Sequence, residues 1–145
     1  MGFSVSGSAA ILFIAAFVSV GILYSAAFNG FERVQDANNA RNDRVLTAKN
    51  TVVEVANTTY DSVNDTVTVN ATNNGSTTLS VSQTDVLVDG EYVTDSAYVS
   101  SSVAGNSQTD LWLPGETYSV TVPTGSAPTR VKVVTGTGVT ATEVV

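Results

Sequence analysis

Hydrophobic and polar positions follow two different rhythms along this chain, and the change falls near Asn50. Residues 5–28 carry no charged side chain and no Pro, Asn or Gln. About 20 such residues at roughly 1.5 Å rise cover the roughly 30 Å hydrocarbon core of a bilayer, and a helix satisfies its own backbone where no water can. The pattern therefore predicts a transmembrane helix over residues 1–30. From 29 to 49 there is no Pro and a single Gly, Gly30, while Phe28, Phe31, Val34 and Gln35 recur near helical spacing, which predicts that the helix continues as a stem over 31–49. Arg41, Asp43 and Arg44 alternate in sign, as on a solvated stalk laced with local ion pairs. The sharper reading is a stripe of Phe28, Phe31 and Val34 that packs on a partner helix. Ala15 with Ser19, and Gly21 with Ser25, are small residues four apart that permit close helix approach, so a homo-oligomer is compatible with the sequence.

After Asn50 the texture turns to Val and Thr with period-two alternation, the mark of half-buried antiparallel strands. Candidate strands are 51–56, 66–72, 76–82, 85–88, 92–94, 98–103, 109–113, 117–122, 129–135 and 139–144, expected to merge into seven or eight. Asp89-Gly90 separates two strand-like runs and predicts a tight hairpin; Asn73-Asn74-Gly75 and Pro114-Gly115 predict two further turns. Val67, Val69 and Ala71 form one inward set, with Tyr118, Val120 and Val122, and Val131 with Val133, as others. Short strands at this spacing with polar outer faces predict a mainly β protein, an immunoglobulin-like β-sandwich over 50–145 that follows the long helix. Trp112, at a strand end before Pro114-Gly115-Glu116, reads first as core packing. Its other reading, with Tyr92 and Tyr98, is an exposed aromatic partner contact.

Composition then removes whole classes of activity. Among 145 residues there is no Cys and no His, which excludes disulfides, thiol nucleophiles, zinc sites and imidazole bases. Hydrolysis would have to rest on carboxylates, and the one local cluster, Asp85, Asp89, Glu91 and Asp95, flanks a predicted hairpin, where turn-forming and solvated acids are the ordinary explanation. A weak divalent cation site at Asp85, Asp89 and Glu91 is the sharper alternative. No phosphate-cradling Gly loop and no full EF-hand pattern occurs, so the chain reads as non-enzymatic and without cofactor.

The net charge is −7, unevenly spread: Arg33, Arg41, Arg44 and Lys49 stand against three acids before Asn50, and Arg130 and Lys132 against ten after it. Such an acidic outer part repels nucleic acid and stays soluble in brine, as expected of a halophile. Membrane topology receives two opposite signals. Bases that follow the span with none before it favour a cytoplasmic domain. Four glycan acceptor sequons at Asn57, Asn64, Asn70 and Asn74, expected at or near turns, favour an extracellular one. No Lys or Arg precedes the apolar run, so it lacks the basic region of a cleaved secretory signal. Met1-Gly2 with Ser6 meets a loose lipid-acceptor pattern.

The opening MGFSVSGSAAILF, the FERVQDA after the apolar run, and the TDVLVDGEYV and LWLPGET of the Val/Thr-rich part together resemble FlaF (ArlF), the archaellum accessory family of halophilic archaea. The similarity runs along most of the chain. It implies a single-pass membrane protein whose β-sandwich lies in the extracellular pseudoperiplasmic space, binds the surface-layer protein and, with the sister protein FlaG, acts as a stator for a rotary motor. The extracellular side is taken from this resemblance. The alternative is an archaeal pilin or archaellin, a filament subunit of like architecture. Those subunits carry a basic leader, and none precedes Gly2-Phe3 in this sequence; residues upstream of Met1 would favour that alternative.

Overall fold

The computed structural model describes residues 2–145, with side chains from Ser6 onward. Met1, part of the lipid-acceptor pattern, lies outside the described residues. The chain forms two compact units, the second being Arg44–Val145.

One helix, α1, runs Gly2–Asn50 without interruption. Its 49 residues make it about 73 Å long. Gly30 lies inside it, so span and stem are one element. Four consecutive large side chains, Ile11, Leu12, Phe13 and Ile14, are each more than 60% exposed. At about 100° per residue they point to every side of the helix, so its apolar surface is not confined to a single stripe. Ser19 donates to the Ala15 carbonyl at 2.8 Å and Ser25 to that of Gly21 at 3.1 Å. These hydroxyls are thus satisfied within their own helix and need no partner chain. By length and composition α1 is long and apolar enough to cross a membrane.

The second unit is an immunoglobulin-like β-sandwich. Its first sheet holds β1 (Val53–Asp61), β2 (Thr66–Asn73), β8 (Thr117–Pro123) and β6 (Ser100–Val103), in the order β1-β2-β8-β6. Its second holds β10 (Thr140–Val144), β9 (Arg130–Val134), β4 (Asp85–Val88) and β5 (Glu91–Val93), in the order β10-β9-β4-β5. All pairings are antiparallel. The expected inward sets, Val67, Val69, Ala71, Tyr118, Val120, Val122, Val131 and Val133, are all buried between the sheets. Every candidate run retains some strand, so the expected merger to seven or eight does not occur. Two runs instead shrink: β3 (Leu79–Ser80) and β7 (Leu111–Trp112) pair as a separate two-stranded ribbon. Residues 81–83 leave the strand as a short 3-10 helix because Asp110 draws them away, accepting from the Ser82 amide at 2.7 Å and the Ser80 hydroxyl at 2.8 Å.

Where the helix enters the sheet, its last carbonyls find partners in the sandwich unit. Asn50 accepts from the Ser76 amide at 2.9 Å and Thr47 from the Thr51 hydroxyl at 2.8 Å, while Val52, just past the helix, accepts from the Asn74 amide at 2.8 Å. Orphan helix-end acceptors are met by chain and not left to solvent. Gly75 fits under this crossing: a β-carbon there would lie against the Asn50 carbonyl oxygen and 2.6 Å from the Val52 nitrogen.

Candidate partner-contact site

The Asp89-Gly90 turn forms as expected, with φ of 51° and 91°, the left-handed pair that a type I′ hairpin needs and that Asp and Gly tolerate. It sets β5 as an edge strand and places Tyr92 on it, 52% exposed. Burial pushes the Tyr92 phenol up, and the charges of Asp85 and Asp95 add to the shift. Beside Tyr92 a groove of about 440 Å3 separates the hairpin from the Pro123–Pro128 loop. The Asp85, Asp89 and Glu91 cation site does not assemble. Asp89 turns its carboxylate to the Thr129 and Arg130 amides, both at 3.0 Å, and among the described residues no three acids group to hold a metal ion.

Trp112 is corrected as a contact residue: it has no exposed surface. Its ring packs 5.5 Å from that of Tyr118, and its indole N–H donates to the Glu116 carbonyl at 2.9 Å. LWLPGET is thus a folding motif. Leu113 accepts from the Glu116 amide at 3.1 Å across Pro114 and Gly115, with Gly115 at φ 82°, the type II turn those residues favour. Apolar exposure in this stretch falls instead to Leu111 and Leu113.

Tyr98 is half-buried against the core after a one-turn 3-10 helix, Asp95–Ala97. Its phenol is pushed far up by burial, with Tyr118 and Asp95 adding to it. Burial and the Asp95 charge push Tyr118 up to about 12. Of the sequon asparagines, Asn64 and Asn74 lie exposed at turns, as expected. Asn57 and Asn70 lie away from turns: they face each other mid-ladder on β1 and β2, next to the bulge at residues 55–57, with Asn57 exposed and Asn70 half-buried. The Asn57 side-chain amide donates to the Thr59 hydroxyl of its own sequon at 3.3 Å.

What the sequence left unseen is Asn73. It reads as a turn former but is fully buried, its side-chain amide donating to the Thr77 carbonyl at 2.8 Å and that of Trp112 at 3.2 Å, its oxygen accepting from the Gly75 amide at 3.1 Å.

A profile of the archaeal-type flagellin family matches residues 2–144. Among solved structures, the chain is similar to the archaellum periplasmic stator protein FlaG from Sulfolobus acidocaldarius, at 20% identity over 66% of this chain and 99% of that one, TM-score 0.48. It is also similar to the archaellum periplasmic stator protein complex FlaF and FlaG from that organism, at 20% identity over 64% of this chain and 87% of that one, TM-score 0.47. No curated protein matches significantly.

Proposed function

The chain belongs to the archaeal-type flagellin family, and from that premise we propose that it is a non-enzymatic accessory protein of the archaellum, anchored in the membrane by α1. Its β-sandwich lies outside the membrane, binds the surface-layer lattice together with a FlaG-like sister, and serves as a stator. One observation carries this reading: the same chain holds an uncharged helical segment with large apolar side chains exposed on every side and a sandwich whose outer faces are Thr, Ser and carboxylate. The resemblance of its FERVQDA, DGEYV and LWLPGET segments to FlaF supports the accessory role. A rotary motor develops torque only against something that resists counter-rotation, and a membrane root joined to a wall-binding domain supplies that resistance. Tyr92 on the β5 edge is the proposed contact, with the partly buried Tyr98 near it, because an exposed ring beside unpaired strand groups offers both apolar area and main-chain pairing. Asn57, Asn64 and Asn74, exposed as they are, are the proposed glycan acceptors ahead of Asn70.

The family itself favours a second reading, a filament subunit. Full-length chain in lipid nanodiscs, mixed at molar salt with purified surface-layer protein, separates the two. Specific capture, weakened by Tyr92→Ala at unchanged melting temperature, is expected of the stator. Filament growth by the full chain without capture would overturn it. Because the chain has no Cys, Ser126→Cys on an exposed loop gives a clean topology reporter: labelling of intact cells by an impermeant maleimide is expected.

A further inference from the structure

Asn74-Gly75 is one of two Asn-Gly pairs in the chain; the other, Asn29-Gly30, lies inside α1. An asparagine before glycine is open to attack on its side-chain carbonyl carbon by the next backbone nitrogen, because glycine has no β-carbon to obstruct the approach. At 75 the glycine is compelled by space: a β-carbon there would meet the Asn50 carbonyl oxygen and the Val52 nitrogen. The helix exit thus forces an easily cyclised pair of residues onto a surface bend, with Asn74 exposed.

The same bend withholds both reacting groups from that reaction. Attack requires the Gly75 amide to give up its proton, and that N–H is committed to the Asn73 side-chain oxygen at 3.1 Å. The Asn74 side-chain amide donates to a Glu54 carboxylate oxygen at 2.9 Å, a charge-assisted bond that fastens the side chain to β1. The flanking amides are tied as well, Asn74 to the Val52 carbonyl at 2.8 Å and Ser76 to that of Asn50 at 2.9 Å. The Gly75 nitrogen is not free to swing toward the Asn74 side chain until these bonds release.

We propose that Asn74-Gly75 is a latent self-modification site, closed while the 73–76 bend is seated against the helix exit and reactive once that crossing opens. On opening, the Gly75 amide loses its proton and its nitrogen bonds to the Asn74 side-chain carbonyl carbon. The bond from that carbon to the side-chain nitrogen breaks, and the nitrogen leaves as ammonia with the proton. Water then adds to either carbonyl of the five-membered imide and breaks one of its C–N bonds, leaving an aspartate or an isoaspartate. Water is the sole co-reactant, and nothing is oxidised or reduced. Either product replaces a donor to Glu54 with a second carboxylate, and isoaspartate also lengthens the main chain of the bend by one carbon. Reclosure is opposed in both cases, so the chain keeps a permanent mark of the opening. The step consumes the nitrogen that a glycan on Asn74 would occupy, so a chain carries one modification or the other. The proposal is independent of the motor role and of lattice capture.

The test incubates unglycosylated full chain in detergent at mildly alkaline pH, with and without guanidinium chloride. Peptide-mapping mass spectrometry follows deamidation at Asn74, and an isoaspartyl methyltransferase reports the isoaspartate. Asn74 is expected to react at least about tenfold more slowly in the folded chain than in the unfolded one, since reaction awaits local opening. Glu54→Ala, on the exposed face of β1, is expected to raise the folded-state rate about two- to tenfold, as for the loss of one exposed hydrogen bond, at unchanged melting temperature. Reacted chain returned to native buffer is expected to melt below untreated chain, whereas Asn74→Gln carried through the same treatment recovers. Equal rates in folded and unfolded chain overturn the proposal, as does a Glu54→Ala chain that reacts no faster or a reacted chain that melts like the untreated one.

Discussion

Single polar side chains hold this sandwich at places that its valine pattern does not reach. Asn73 ties the end of β2 to the bend behind it and to β7 through three hydrogen bonds in a site closed to water. Asn73→Ala strands those backbone groups, and at ~1–3 kcal/mol for each unsatisfied buried group a loss of about 3 kcal/mol in urea unfolding is expected; a loss within error would show that water takes over. Asp110 acts through charge. The Ser82 amide, then the Ser80 and Ser82 hydroxyls, hold its carboxyl below the ordinary 3.8. A depressed folded pKa contributes stability that is full above 3.8 and lost as pH falls through the lower folded value. Asp110→Asn should therefore flatten the fall in stability below pH 3.8, read by melting temperature across an acid series, and an unchanged slope would assign that fall to other carboxylates. Neither role is legible in the sequence. An Asn before Asn-Gly and an Asp after a Thr look like any turn residues, and only the long-range fold brings their partners near.

Elements were far more legible than these joints. Strict alternation in β2, β8 and β9 named the inward residues because a strand with one buried face leaves that mark in its sequence, and Asp89-Gly90 named its hairpin because few residues adopt two successive left-handed conformations. The helix was legible from the uncharged run and the absence of Pro after it. Trp112 was ambiguous for a physical reason: an indole at a strand end suits a core or a contact equally, and the Glu116 carbonyl that takes its N–H is visible only once the turn closes. The shortened β3 was hidden because Leu79 and Val81 alternate with serines as a strand does, while Asp110 takes the Ser82 amide. Gly75 gives the element-scale test. Its missing side chain lets the 73–76 bend cross the helix exit, and Gly75→Ala puts a carbon against backbone atoms that cannot rotate away. A loss of about 2 kcal/mol or more is expected, measured by chemical denaturation; a neutral result would mean that the crossing opens freely.

At the scale of the whole molecule, charge and continuity matter most. Ten acids stand against two bases after Asn50, so self-repulsion opposes folding of the sandwich unit in dilute buffer. Raising NaCl from about 0.1 M to about 1 M shortens the screening length from ~10 Å to ~3 Å, and the denaturation midpoint of the full chain should rise; a fall would indicate that attractive pairs dominate. Continuity concerns the passage from α1 into β1, where the Asn74 and Ser76 amides hold the carbonyls of Val52 and Asn50, and the Thr51 hydroxyl caps that of Thr47. A pull on the helix cannot be absorbed by slack there and goes straight into β1, which is matched to β2 at eight positions. A load that reaches that strand is shared over a ladder of backbone hydrogen bonds and is not carried by a single contact.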